Sequence, residues 1–134
     1  MFKVSNDYDK FDGTYLVGEI DLVYADIELA FGSPMHGDDY KISGEWLFEN
    51  EETGEVFSLY DWKSTNLYGG DRYPSVEKFR ANLKPQTFNI GGKREYNVHT
   101  FKTLLKKQIE YAKRNEDKAE IALLGTATPY IKQS

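Results

Sequence analysis

Apolar positions recur along this chain at two periods, near two and near 3.6, and the changes between them mark out its elements. Residues 14–20 (TYLVGEI) are rich in β-formers and predict a strand. Asp21 then stands where a helix N-cap is expected, its carboxylate able to accept amide hydrogens orphaned at a helix start. Over 22–31, Val23, Ile27, Ala30 and Phe31 fall at helical spacing, and Gly32 and Pro34 supply the stop. Residues 40–49 and 55–62 flank the acidic connection NEETG and predict a hairpin, with Gly44 a candidate bulge. In the second of these strands Val56, Ser58 and Tyr60 share one face, and Phe57, Leu59 and Asp61 the other.

Further on, SVEKFRANL suits a turn or two of helix before Pro85, and 87–91 a short strand ending at Gly91-Gly92. Residues 97–115 carry the longest helical period: Asn97 caps, and Val98, Phe101, Leu105, Ile109 and Ala112 line one side with Leu104 and Gln108. Trp46, Phe48, Phe57 and Phe101 read as core. Residues 1–13 show no period and predict a loosely held arm. Residues 116–134 form a tail apolar enough to dock on a neighbouring subunit. The expectation is one α+β domain over 1–134: a four-stranded antiparallel sheet packed against one long C-terminal helix and one short N-terminal helix.

Composition narrows the chemistry. There is no cysteine, so disulfides and thiolate metal sites are out, and His36 and His99 alone do not suggest a histidine metal centre. We expect neither metal nor cofactor. No apolar run approaches the roughly 20 residues of a membrane span, and the first residues lack the apolar core of a secretion signal. A cytoplasmic protein without a membrane role is expected. Charge is split: residues 1–62 hold 15 acidic against 3 basic side chains, and 63–134 hold 7 against 14. Acidic strands attracting a basic helix, complementary subunits of a homo-oligomer, or an acidic surface imitating nucleic acid would each produce that split.

Residues 56–73 (VFSLYDWKSTNLYGGDRY) concentrate the candidate chemistry, because an apolar strand runs straight into a loop of rings and charges. Trp62, Tyr68 and Tyr73, with Phe88, could form a stacking platform. Lys63, Arg72, Lys93 and Arg94 could hold phosphates, and Asp61 or Asn89 could read a polar edge. The segment Phe88-Asn89-Ile90-Gly91-Gly92-Lys93-Arg94 reads first as a connection needing glycine dihedrals and second as a phosphate cradle. Asp61-x-Lys63, with Glu45 or Asp39 as second carboxylate, matches half of a Mg²⁺-dependent nuclease site. No Ser-His-Asp pattern is present, and a binding role is expected ahead of catalysis.

Several short motifs also carry a resemblance. Phe31-Gly32-x-Pro34, Gly37-Asp38-x-Tyr40-Lys41, Glu45-Trp46, Gly54-x-Val56, Leu59-Tyr60-Asp61-Trp62-Lys63 and Asn89-Ile90-Gly91-Gly92 are similar to those of a family of small tailed-bacteriophage proteins. The similarity spans about residues 14–110, and no activity attaches to the motifs. That family commonly places a tryptophan-histidine pair before Ile-Gly-Gly, where this chain has Phe88 and Asn89. The resemblance implies an accessory gene product of the infected cell's cytoplasm, counteracting host defence by binding a small anionic nucleotide-type ligand. A host defence protein is the alternative partner; nucleic acid itself is not expected.

Overall fold

The computed structural model describes residues 2–38, 41–62, 64–95 and 97–127; the side chains of Asn66, Asp71 and 117–127 stand outside that description. Among the described residues, six strands form one antiparallel sheet: β1 (Phe2–Ser5), β2 (Tyr15–Leu22), β3 (Met35–His36), β4 (Gly44–Asn50), β5 (Val56–Tyr60) and β6 (Gln86–Gly92). Their order is β1-β4-β5-β6-β2, with β3 also paired to β4. The helices are α1 (Tyr24–Phe31), the single turn α2 (Asn66–Gly69), α3 (Val76–Ala81) and α4 (Val98–Ala127), with 3-10 turns at Tyr8–Phe11 and Gly70–Arg72. The α+β class is as the sequence predicts; the sheet gains β1 and β3.

Alternation along the strands gives the sheet one wholly apolar face. Ile20, Leu22, Trp46, Phe48, Phe57, Leu59, Phe88 and Ile90 line it, and Phe101, Leu105 and Ile109 of α4 pack into the same cluster. Phe101 stacks on Phe57 with ring centroids 4.5 Å apart and planes 15° from parallel, and it meets Phe2 and Phe48 edge-on. This packing accounts for the glycine pair at the end of β6. A side-chain carbon on Gly92 would stand 3.0 Å from two atoms of the Phe57 ring. One on Gly91 would meet Ser58 Oγ at 2.5 Å. Both glycines are strand residues paired across to β2 and β5, so neither a dihedral-driven turn nor a phosphate cradle describes them. Gly32, by contrast, sits at φ 83° and closes α1 by donating its N–H to the Glu28 carbonyl at 2.8 Å, as its position predicts.

Three other expectations need correction. The first thirteen residues are not a loose arm: β1 pairs with β4, Phe2 packs on Phe57 and Phe101, and Phe11 joins Leu47 and Val56 in a second cluster on the opposite face. Asp21 belongs to β2, where it accepts from Thr87 Oγ1 at 2.7 Å, and α1 begins after Val23 instead. Phe88 is 1% exposed and part of the core, so it cannot be a stacking platform. The helix expected over 97–115 continues to Ala127, and the rest of the predicted tail, 128–134, lies outside the described residues.

The charge split along the chain becomes a split between faces. Glu19, Asp21, Glu45 and Glu49 stand on the face turned away from α4, whereas α4 carries Lys102, Lys106, Lys107, Lys113 and Arg114. The two signs meet where Lys102 and Lys106 flank Glu19 and Asp21 at the β2 edge, and where Lys113 reaches Asp26 at 3.4 Å.

Candidate functional site

Asp61 follows directly on β5 and turns inward, with 2% of its surface exposed. Its Oδ1 accepts the backbone N–H groups of Ser43 (2.9 Å) and Gly44 (3.1 Å), and its Oδ2 accepts the Ser43 hydroxyl at 2.6 Å. The carboxylate is thus a strut between the end of β5 and the bend that starts β4. Arg80 of α3 reinforces that bend by donating to the Ser43 carbonyl at 3.2 Å while lying over the Tyr24 ring. Neither the Tyr24 hydroxyl nor Arg80 Nε has a hydrogen-bond partner among the described residues. Burial, with the charges of Glu28 and Asp61, pushes the Tyr24 hydroxyl up to about 12, against the opposing effect of Arg80. A nuclease pairing of Asp61 with Glu45 does not form, because Glu45 points from β4 to the open face while both Asp61 oxygens are held within the fold. Lys63 and Asp39, the other members of that reading, lie outside the described residues.

The open face carries a different constellation. Glu45 of β4 stands opposite Tyr60 of β5, Tyr60 opposite Asn89 of β6, and Asn89 opposite Glu19 of β2. Adjacent members of such a row are about 5 Å apart. Asn89 lies beside Tyr60, and the Tyr8 hydroxyl, from the 3-10 turn above the sheet, donates to the His36 carbonyl at 3.4 Å close to Glu45. Burial raises the pKa of Glu45, with the charges of Asp38 and Asp61 adding to it and the Tyr8 hydroxyl opposing. Burial, then the charge of Glu45, likewise raises Tyr8. Tyr60 is raised by burial and by Glu45, against the Asn89 amide.

Trp62 closes one end of this row. It is 41% exposed and meets Tyr60 edge-on at 6.2 Å, and Lys41 Nζ lies 5.4 Å from its ring centroid. The loop that delivers Lys41 is braced by Asp38, whose Oδ1 accepts the N–H groups of Lys41 and Ile42, each at 2.9 Å. Gly37 closes that loop by lying directly against the Ile42 carbonyl. Sequence reasoning named Trp62, Asn89 and Glu45 but passed over Tyr60, Tyr8 and Lys41. Tyr60 and Lys41 lie inside the quoted motifs, which was the available signal; Tyr8 had none. Tyr68 follows in α2, Arg72 in the second 3-10 turn and Tyr73 just after it, all exposed, with the Tyr73 ring seated on Gly69.

Lys93 and Arg94 are elsewhere. Gly92 pairs with Phe57 at the start of β5, so the two cations lie at the opposite end of the strands from Trp62, roughly 16 Å away by strand rise. There they line a cleft of about 340 Å³ with Thr53, Gly54, Glu55 and Asn97, in which Asn97 Nδ2 donates to Glu55 Oε2 at 2.8 Å. The aromatic loop and the cationic turn therefore do not converge on one pocket. Among the described residues no group of three or more His, Cys, Asp or Glu is placed to hold a metal ion.

The raised pKa of Glu45 gives a test of its environment. Its ionised form is disfavoured by folding, so its contribution is fully favourable below the unfolded carboxylate pKa of about 4 and is lost as pH rises through the higher folded value. Glu45→Gln should therefore raise the melting temperature at pH 7. The gain should shrink to nothing below about pH 4 in paired thermal melts. A gain independent of pH would contradict the assignment.

No protein-family model matches this chain, and no curated protein matches it.

Proposed function

We propose that this protein acts by binding rather than catalysis, and that the open-face row Glu45–Tyr60–Asn89 with Trp62 holds a small nucleotide-type ligand. The register of the row supports the reading: a carboxyl, a phenol and a carboxamide on three adjacent strands present alternating donors and acceptors to the edge of a base. Trp62 offers a ring beside that edge, and base-on-ring stacking contributes about 1–3 kcal/mol. The carboxylates around the row disfavour a phosphate placed directly on it. The ligand is therefore anchored by its base, with its anionic part toward Lys41. The resemblance to phage proteins supports sequestration of a host defence signal as the purpose.

The experiment uses the contrast between the two tryptophans: Trp46 is 1% exposed and Trp62 41%, so added ligand should quench Trp62 selectively. Cyclic nucleotides and cyclic ADP-ribose isomers are the probes. A binder at a hundred times its Kd should stabilise the fold by about 2.7 kcal/mol, and Tyr60→Phe, Asn89→Ala and Trp62→Ala should each weaken the effect. Neither quenching nor stabilisation across the panel would remove the proposal.

A second reading, an acidic inhibitor that imitates nucleic acid, draws support from the acids on the open face. Two of the acids beside the hairpin turn are paired within the chain, however: Glu49 with Lys10 at 3.0 Å and Glu51 with Lys3. Reversing the charges at Glu49, Glu51 and Glu52 together should abolish salt-sensitive binding to a basic host protein if this reading holds.

A further inference from the structure

We infer that the base held by the open-face row is guanine, an assignment that rests on the binding role proposed for that row. Glu45 accepts from guanine N1–H and the exocyclic amine, and Tyr60 and Asn89 donate to O6 and N7 beyond them.

The row has an order that matches one base. Glu45, Tyr60 and Asn89 stand level on three adjacent antiparallel strands, so the groups they offer follow one another along a line across the sheet. An ionised carboxylate only accepts, whereas a phenol and a carboxamide both donate. From β4 to β6 the line is therefore a pair of acceptor oxygens followed by two donors. Guanine carries the complement on one edge: the amine and N1–H side by side, then the acceptors O6 and N7. Its two neighbouring N–H groups form a parallel fork, like the one arginine presents to a carboxylate in a bidentate pair.

The other common bases lack that fork. Adenine and cytosine bring one amino donor beside a ring nitrogen that accepts, and uracil brings one N–H between two carbonyls. Each sets a lone pair against an oxygen of Glu45, and an unmatched polar contact costs more in a half-buried site than in open water. The surroundings of Glu45 press the same way. It is half-buried, and the charges acting on it are those of Asp38 and Asp61, both acidic. A carboxylate among acids gains most from a ligand that turns two donors and no acceptor toward it. Trp62 does not choose between bases, because every base has a face to stack. The choice falls to the row.

The wild-type chain is titrated at about pH 8, well above the carboxylate range, with cyclic GMP, cyclic IMP, cyclic AMP and cyclic CMP. Trp62 quenching and thermal shift are the readouts. Hypoxanthine, the base of cyclic IMP, keeps N1–H, O6 and N7 but lacks the exocyclic amine, so it removes one arm of the fork. Cyclic GMP should bind about tenfold or more tighter than cyclic IMP, and cyclic AMP and cyclic CMP should bind more weakly still. Glu45→Gln exchanges one acceptor oxygen for a donor and should turn the preference toward adenine, whose adjacent acceptor and donor suit an amide. Circular dichroism checks that this variant is folded. Cyclic IMP or cyclic AMP binding as tightly as cyclic GMP overturns the guanine assignment and leaves the binding role standing. So does an unchanged order of bases in Glu45→Gln, or binding of the cyclic ADP-ribose isomers alone. Binding of none of these nucleotides removes the assignment and the binding role together.

Discussion

Asp61→Ala should lower stability by about 3–4 kcal/mol, a fall of roughly 10 °C or more in melting temperature for a chain of this size. The carboxylate accepts three hydrogen bonds in a site 2% exposed, at 2.6–3.1 Å. Alanine would leave the N–H groups of Ser43 and Gly44 without that acceptor, and each buried unpaired donor costs about 1–3 kcal/mol. Asparagine keeps the shape and one acceptor oxygen but turns an amide donor toward other donors, so Asp61→Asn should fall between wild type and alanine. Ser43→Ala should couple to it: the double variant should lose less than the sum of the singles, because both delete the same bond. Thermal melts of wild type and the four variants decide the matter. Were Asp61→Ala to melt within about 2 °C of wild type, the strut would be discarded and a surface role for Asp61 would return.

Phe101→Ala should cost at least as much, about 3–5 kcal/mol in urea titrations with unchanged slope. The ring is 1% exposed, stacks on Phe57 and meets Phe2 and Phe48 edge-on, so it joins β1, β4 and β5 to α4 through one side chain. Aromatic pairs of this kind contribute about 0.5–1.5 kcal/mol beyond their buried area, and the neighbours are themselves large rings that cannot collapse into the space left. A loss below about 1 kcal/mol would mean that α4 is held by other contacts.

The strength of the local signal decided what could be read from the sequence. The hairpin 44–60, α1 with its Gly32 stop and the apolar stripe of α4 were legible because alternation and capping are written within ten or twenty residues. β1 was not, since Phe2 and Val4 give too short a pattern, and its place is set by Phe57 and Phe101, far off in sequence. Asp21 has the chemistry of a helix cap but is held in β2 by its register with Thr87. Of the candidate site, Trp62, Glu45 and Asn89 were visible as unusual residues at strand ends and on strands. Their union with Tyr60 and Lys41, and the separation of Lys93 and Arg94 from them, depends on which strand neighbours which, and composition does not encode that. The quoted motifs gain physical meaning only in the fold. Gly44 is a glycine because Pro34 and Arg80 stand 3.1 and 3.2 Å from where its side chain would be, and Trp46 ties β4 to the Gly32 carbonyl at 2.8 Å.

The strand order also sets a timetable for synthesis. β4 and β5 are neighbours in sequence and can pair as soon as both have left the ribosome, but β2 pairs only with β6, Tyr15 opposite Gly92 and Leu22 opposite Gln86. At about 5–20 residues per second, β2 waits roughly 3–15 s for its partner. During that interval its Tyr15, Leu16, Ile20 and Leu22 are open to chaperones and to other nascent chains. Glu19 and Asp21, interspersed among them, serve as gatekeepers against intermolecular pairing, a duty that outlasts synthesis because β2 remains an edge strand of the completed sheet.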